Sequence, residues 1–321
     1  MTTTSPALTA MTRPGPTRRI LRALAIASCV PYVSLKIAWV SGSRVGIPEG
    51  SALLNDPGLM AALNLMTVLM DAAVVVLALL FTQRWGMAVK AWLLALPMWA
   101  ATGLLAPIMV GYPAQMAAGH SAPSEPFLDE WVFTVVYSGF IVQGLSLGTL
   151  FALYARDRWS RVWRGRVRDL SPALLPPVVR VTAVAASVLL LVPSALHALW
   201  LAGSTRGLSA GLITERGSDF HVLEAVRLLF VAAAVAGVLM LVFRLGRSLP
   251  VKAPLALAWI GSGGVGCWGG WLLLAALVPQ SDPADEPTAV MELAYAGEMI
   301  TGILLAGCVA VFLRRRAGRS A

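Results

Sequence analysis

Apolar residues in this chain come in long, nearly unbroken runs, not in the i, i+3, i+4 stripes of helices that face water on one side. Eight runs stand out, at about 20–40, 58–82, 88–111, 131–154, 180–201, 220–243, 254–278 and 290–313. A hydrocarbon layer about 30 Å thick is crossed by roughly 20 helical residues, and each run is of that order. Backbone groups in lipid must be bonded within their own segment, so the pattern predicts helices and not open strands. The expected fold is an all-α integral membrane protein with eight transmembrane helices.

The polar positions add an internal echo. Pro31-Tyr-Val-Ser-Leu-Lys36-Ile-Ala-Trp39-Val-Ser-Gly42-Ser43-Arg44-Val-Gly46 opens the first run's exit, and Pro193-Ser-Ala-Leu-His197-Ala-Leu-Trp200-Leu-Ala-Gly203-Ser204-Thr-Arg206-Gly207 opens the fifth's. Val89-Lys90-Ala91 returns as Val251-Lys252-Ala253, Phe81 as Phe243, and Glu125-Pro126 as Glu286-Pro287. Tyr137, Gly139, Gly144 and Arg156 return as Tyr295, Gly297, Gly302 and Arg314. The expectation is two four-helix repeats. Four is even, so both enter from one side and the repeats are parallel, about an axis along the membrane normal.

This divides the chain into a disordered cytoplasmic tail (1–19), a first repeat (20–155), a basic amphipathic interfacial linker (156–179), a second repeat (180–313) and a basic tail (314–321). In the linker, Trp159, Trp163, Val167 and Leu170 share one helical face among arginines. That suits a helix lying on anionic headgroups; docking of a cytoplasmic partner at 156–170 is the alternative.

Composition agrees. Of 321 residues 58% are hydrophobic and 13% charged, with mean hydropathy +0.75, against roughly 25% charged in soluble domains. The net charge of +9 invites a nucleic-acid partner, but its placement argues otherwise. All Lys and Arg except Lys36, Arg44, Arg206, Arg216 and Arg227 lie in the two tails or the second, fourth and sixth loops, or at the run ends that adjoin them. This is the positive-inside pattern: both termini cytoplasmic, in a plasma membrane with anionic headgroups. Arg18-Arg19 before an apolar run also resembles a twin-arginine signal, and Ile26-Ala-Ser-Cys29 a lipoprotein cleavage site. Arg22 interrupts that signal core, and the fifth run repeats the pattern where no signal can stand.

Ionisable groups within the runs cost about 2.5–3.5 kcal/mol each on insertion scales, so each needs a reason. They are Lys36, Asp71, His197, Glu224, Arg227, Glu292 and Glu298. All but Asp71 fall in the outer half. The candidate substrate or ion pathway is Lys36, Asp71, His197, Glu224, Arg227 and Glu298, expected to line a polar cavity open to the outside with Asp71 at its floor. The plainer alternative is local ion pairs, such as Glu224 with Arg227 at i,i+3, and snorkelling, as for Lys36. Gly261, Gly263, Gly264, Gly266, Gly269 and Gly270 crowd the seventh run, for close helix packing or for a broken helix that coordinates an ion. Trp39, Trp131 and Trp200 at outer ends, and Trp85, Trp159 and Trp163 at inner ends, fit interfacial belts.

Cys29, Cys267 and Cys308 form no CxxC pair and fit small apolar packers. With lysines only at 36, 90 and 252 there is no Walker A motif, and no His pair at i,i+4 occurs. No catalytic residue, cofactor or metal ligand is expected. The pattern Pro31-Tyr-x-x-Leu-Lys36-x-x-Trp39-x-x-Gly42, with the eight-run layout, resembles uncharacterised multi-pass membrane proteins of high-GC Gram-positive bacteria. That group carries no assigned activity, so the resemblance implies layout and no chemistry. The functional expectation is a permease or ion- or proton-coupled transporter of a small solute. The alternatives are a non-transporting scaffold, sensor or membrane subunit of a complex, and an intramembrane lipid-modifying enzyme.

Overall fold

A computed structural model describes residues 15–49, 51, 57–119, 128–278 and 282–318. His120, Glu125, most of the N-terminal tail and the last three residues lie outside the described residues. Among the described residues eight spans are long and apolar enough to cross a membrane and no strand occurs, and the protein is an all-α integral membrane protein. In chain order the helices are α1 Pro16–Ala27, α2 Val30–Val40, α3 Pro57–Leu80, α4 Ala91–Ala117, α5 Glu130–Trp163, α6 Pro177–Leu189, α7 Leu191–Leu201, α8 Ala210–Glu215, α9 Ser218–Phe243, α10 Lys252–Ala276 and α11 Ala289–Gly318.

Two spans are each made of two helices, α1–α2 and α6–α7, and a proline sets each break. Proline lacks the N–H that would bond the carbonyl four residues back, and its ring clashes with that carbonyl. That residue is Ala27 for Pro31 and Leu189 for Pro193, the last residues of α1 and α6. In contrast, α4 runs through Pro97 and Pro107 and continues to Ala117, so Tyr112 stands in the helix and not in the expected outer loop.

By contacts the chain forms two compact units, Met1–Met98 with Pro126–Arg158, and Trp99–Glu125 with Trp159–Ala321. Their borders differ from the repeat borders read from sequence, because α4 from Trp99 onward belongs with the second unit, where Trp99 bonds Ser262 and Trp268 bonds Leu104 O of α4. In the second unit, α10 lies against α9 and α11 over a core that includes Phe230, Ala234, Val265, Leu305 and Phe312. α10 is one continuous helix, so its glycines serve packing and not a break. A Cβ at Gly261 would strike the Ala234 backbone of α9, one at Gly263 would meet Gly103 of α4, and one at Gly269 would come within 2.7 Å of Glu298 and the α11 backbone.

The linker also differs from expectation. α5 continues to Trp163, with a non-helical Trp159 inside it. Residues 164–170 then lie beside the loop before α10, where Val167 N–H donates to Leu249 O at 2.9 Å and Val251 N–H to Gly165 O at 3.1 Å. Val167 and Leu170 are buried in the second unit's core, while Arg164, Arg166 and Arg168 stay exposed.

Candidate functional site: a buried histidine–carboxylate–arginine cluster

α7, α9 and α11 bring four ionisable side chains together in the second unit. His197 stands four residues before the end of α7, so roughly 6 Å along it, and Glu224, Arg227 and Glu298 stand six to nine residues into α9 and α11, roughly 9–14 Å. The imidazole Nδ1 lies 2.6 Å from Glu224 Oε2, within the range of a charge-assisted hydrogen bond. Nε2 lies 3.1 Å from Glu298 Oε1 but off the line of a ring N–H bond, so this contact is electrostatic. Arg227 joins both acids, Nε 3.6 Å from Glu224 Oε1 and Nη1 3.3 Å from Glu298 Oε2. Its guanidinium sits 5.8 Å from the Tyr295 ring centroid.

His197, Glu224 and Glu298 are 1%, 5% and 2% exposed. Local sequence explains how they fit. Gly269 leaves room for the Glu298 side chain, and Trp200, one turn after His197, packs edge-on to the imidazole at 5.0 Å. Trp200 is itself pinned, its Nε1–H donating to Arg206 O at 2.9 Å.

The proton count of this cluster is constrained. The Nδ1 contact needs a proton between its atoms, and the Nε2 contact is repulsive without one. Either a doubly protonated imidazole faces two carboxylates, or a neutral imidazole faces one carboxylate and one carboxylic acid. Both arrangements, with Arg227 positive, sum to zero charge. Losing one proton leaves an unbalanced negative charge in a low-dielectric interior, where uncompensated charge costs several kcal/mol. The closed cluster is therefore balanced only while its four members stay together.

A second polar cluster lies in the first unit. Asp71 of α3 is 5% exposed, and its Oδ1 accepts from Gln143 Nε2 of α5 at 3.0 Å. Gln143 also reaches Cys29 Sγ at 3.3 Å. The Lys36 ammonium lies 4.7 Å from the ring centroids of both Tyr32 and Trp39.

The six pathway residues thus fall into two clusters, one in each unit: Lys36 with Asp71, and His197 with Glu224, Arg227 and Glu298. The second cluster is closed, not an open-mouthed cavity. Glu292 is exposed and joins neither cluster. The expected Glu224–Arg227 pair forms, but within a four-membered group. Of the tryptophans read as interfacial belts, Trp85 and Trp131 are exposed, whereas Trp39 and Trp200 are buried and bonded to the protein's own backbone. Gln143 and Asn64, buried in the first unit, carry no charge and so were not among the candidates drawn from ionisable groups. Uncharged polar residues inside apolar runs were the available signal.

Compared with protein-family models, curated proteins and solved structures, the chain matches none.

Proposed function

We propose that the protein is a plasma-membrane permease that moves a small solute in exchange for, or together with, protons. The observation that carries this is the buried His197–Glu224–Arg227–Glu298 cluster, whose closed form is neutral at only one proton count. Intramembrane ionisable groups of this kind serve proton relays and substrate pathways. A solute or a voltage that draws off a proton favours an open form, and differential affinity for two forms is what couples a ligand to a conformational change.

The proposed layout has both termini cytoplasmic and two parallel four-helix repeats. Local geometry supports the duplication. Trp39 Nε1–H donates to Val45 O and Trp200 Nε1–H to Arg206 O, each six residues on. Gly42 and Gly46 have φ of 90° and 75°, Gly203 and Gly207 of 99° and 80°. A Cβ on Gly46 would strike Val132 and one on Gly207 would strike Val290, the same place in each half. In this reading Lys36 and His197 are equivalent positions that have diverged, and the exposed arginines of the linker face anionic headgroups or a cytoplasmic partner.

A second reading, a non-transporting scaffold or membrane subunit, is favoured by one fact: the cluster is neutralised internally and closed. The discriminating experiment reconstitutes the purified protein in vesicles holding a pH-sensitive dye. Proton entry under a potassium diffusion potential is followed with solute pools extracted from the native host. Under the permease reading a pool component stimulates proton flux in the wild type and not in Glu298→Gln. Equal flux in wild type and Glu298→Gln, or none in either, removes it and leaves the scaffold.

A further inference from the structure

The first unit holds three polar demands that the described residues do not meet. Asp71 Oδ2 is buried with no hydrogen-bond donor, and Asn64 Nδ2 is buried with no acceptor. Both side chains are at least nine-tenths buried, Asp71 5% and Asn64 4% exposed. They stand seven residues apart on α3, two turns and so the same face, about 10 Å along the axis. The third demand is charge. Lys36 stands on α2, which packs against α3, yet its ammonium rests against two aromatic rings and makes no ion pair with the Asp71 carboxylate among the described residues. A cation on α2 and an anion on α3 are thus left unpaired with each other, with a spare acceptor on the anion and a spare donor on the same face of α3.

We infer that this is a binding site for a small zwitterion carrying an ammonium and a carboxylate. The ligand ammonium donates to Asp71 Oδ2, and the ligand carboxylate accepts from Lys36 Nζ and Asn64 Nδ2. Gln143 is a positioning residue: by donating to Oδ1 it turns Oδ2 toward the ligand. Charge balance selects this class. Lys36 and Asp71 already sum to zero, so a lone cation or a lone anion would leave one unit of charge unbalanced within a membrane-spanning unit, whereas a zwitterion adds none. Water answers Oδ2 and Nδ2 but leaves both ions without a counter-charge in contact. The inference rests on the permease reading and names its substrate class.

The test is equilibrium binding to the full-length protein in lipid nanodiscs. The probes are radiolabelled glycine, β-alanine and γ-aminobutyrate, a ladder of rising ammonium-to-carboxylate spacing. The expected result is saturable binding of one rung, undisturbed by tenfold more acetate or ethylamine. Asp71→Asn and Lys36→Met are each expected to weaken it roughly 30-fold or more, the loss that follows when one of two desolvated charge partners is removed. Size-exclusion and circular dichroism profiles check folding; should Asp71→Asn misfold, Lys36→Met and Asn64→Ala carry the test. No binding of any rung by the wild type, or undiminished binding by folded Asp71→Asn or Lys36→Met, overturns the site. Binding with no flux in vesicles keeps the site and removes the permease. Flux of another solute with no zwitterion binding keeps the permease and removes the site.

Discussion

His197 shows what one residue does when its partners come from other helices. Its ring is clamped between Glu224 and Glu298, so Glu298→Gln strips a counter-charge from the imidazole and from Arg227 together. Breaking a buried pair by removing one partner costs about 3–5 kcal/mol; the thermal midpoint in detergent is expected to fall accordingly. Exchanging Glu298 and Arg227 for a matched apolar pair should cost less than either single change, because no orphan charge remains. Trp200 makes a smaller contribution. Trp200→Phe keeps the ring and loses the Nε1–H bond to Arg206 O, an expected loss of about 1 kcal/mol. Amide exchange across 203–209 is expected to rise, since that bond closes the turn. None of these partners was legible at residue level except Glu224 with Arg227, which sit three apart on one helix.

At the scale of elements, the glycines of α10 set how closely α9, α4 and α11 approach. Gly261 abuts the Ala234 backbone, which has no flexible side chain to give way. Gly261→Ala is expected to destabilise by about 1–3 kcal/mol, the usual cost of overpacking. Gly148 and Gly307 have nothing within 4 Å of an added Cβ. Gly148→Ala and Gly307→Ala should therefore be neutral, or stabilising by up to about 1 kcal/mol through helix propensity. Unfolding of the three variants side by side checks this, and equal losses would show that the approach of α10 to α9 is not what the glycine supplies. The cluster of glycines was plain in the sequence. Which neighbour each one admits was not, because an apolar helix buries surface on every side and its period marks no single face.

For the whole molecule, eight spans place both termini on one side if every span crosses. Single cysteines introduced as Ser204→Cys and Ser248→Cys, in a chain whose native Cys29, Cys267 and Cys308 are replaced by alanine, test this with a membrane-impermeant maleimide. Labelling from outside is expected at 204 and not at 248. Labelling at both from outside, or at 248 alone, would overturn the proposed orientation.

What the chain's own letters determined is the solvent. Runs of about 20 apolar residues can only be helices in lipid, and positive-φ turns were signalled by Gly42, Gly46, Gly203 and Gly207; which proline breaks a helix was not, since α6 ends four residues before Pro193 while α4 runs through Pro97 and Pro107. Tertiary structure alone decided the company each polar side chain keeps. Lys36 and His197 occupy matching places in the sequence, yet one rests on aromatic rings and the other is gripped by two carboxylates. The reason is that contact between helices depends on rotation and register, and neither is recorded in a segment that is apolar all round.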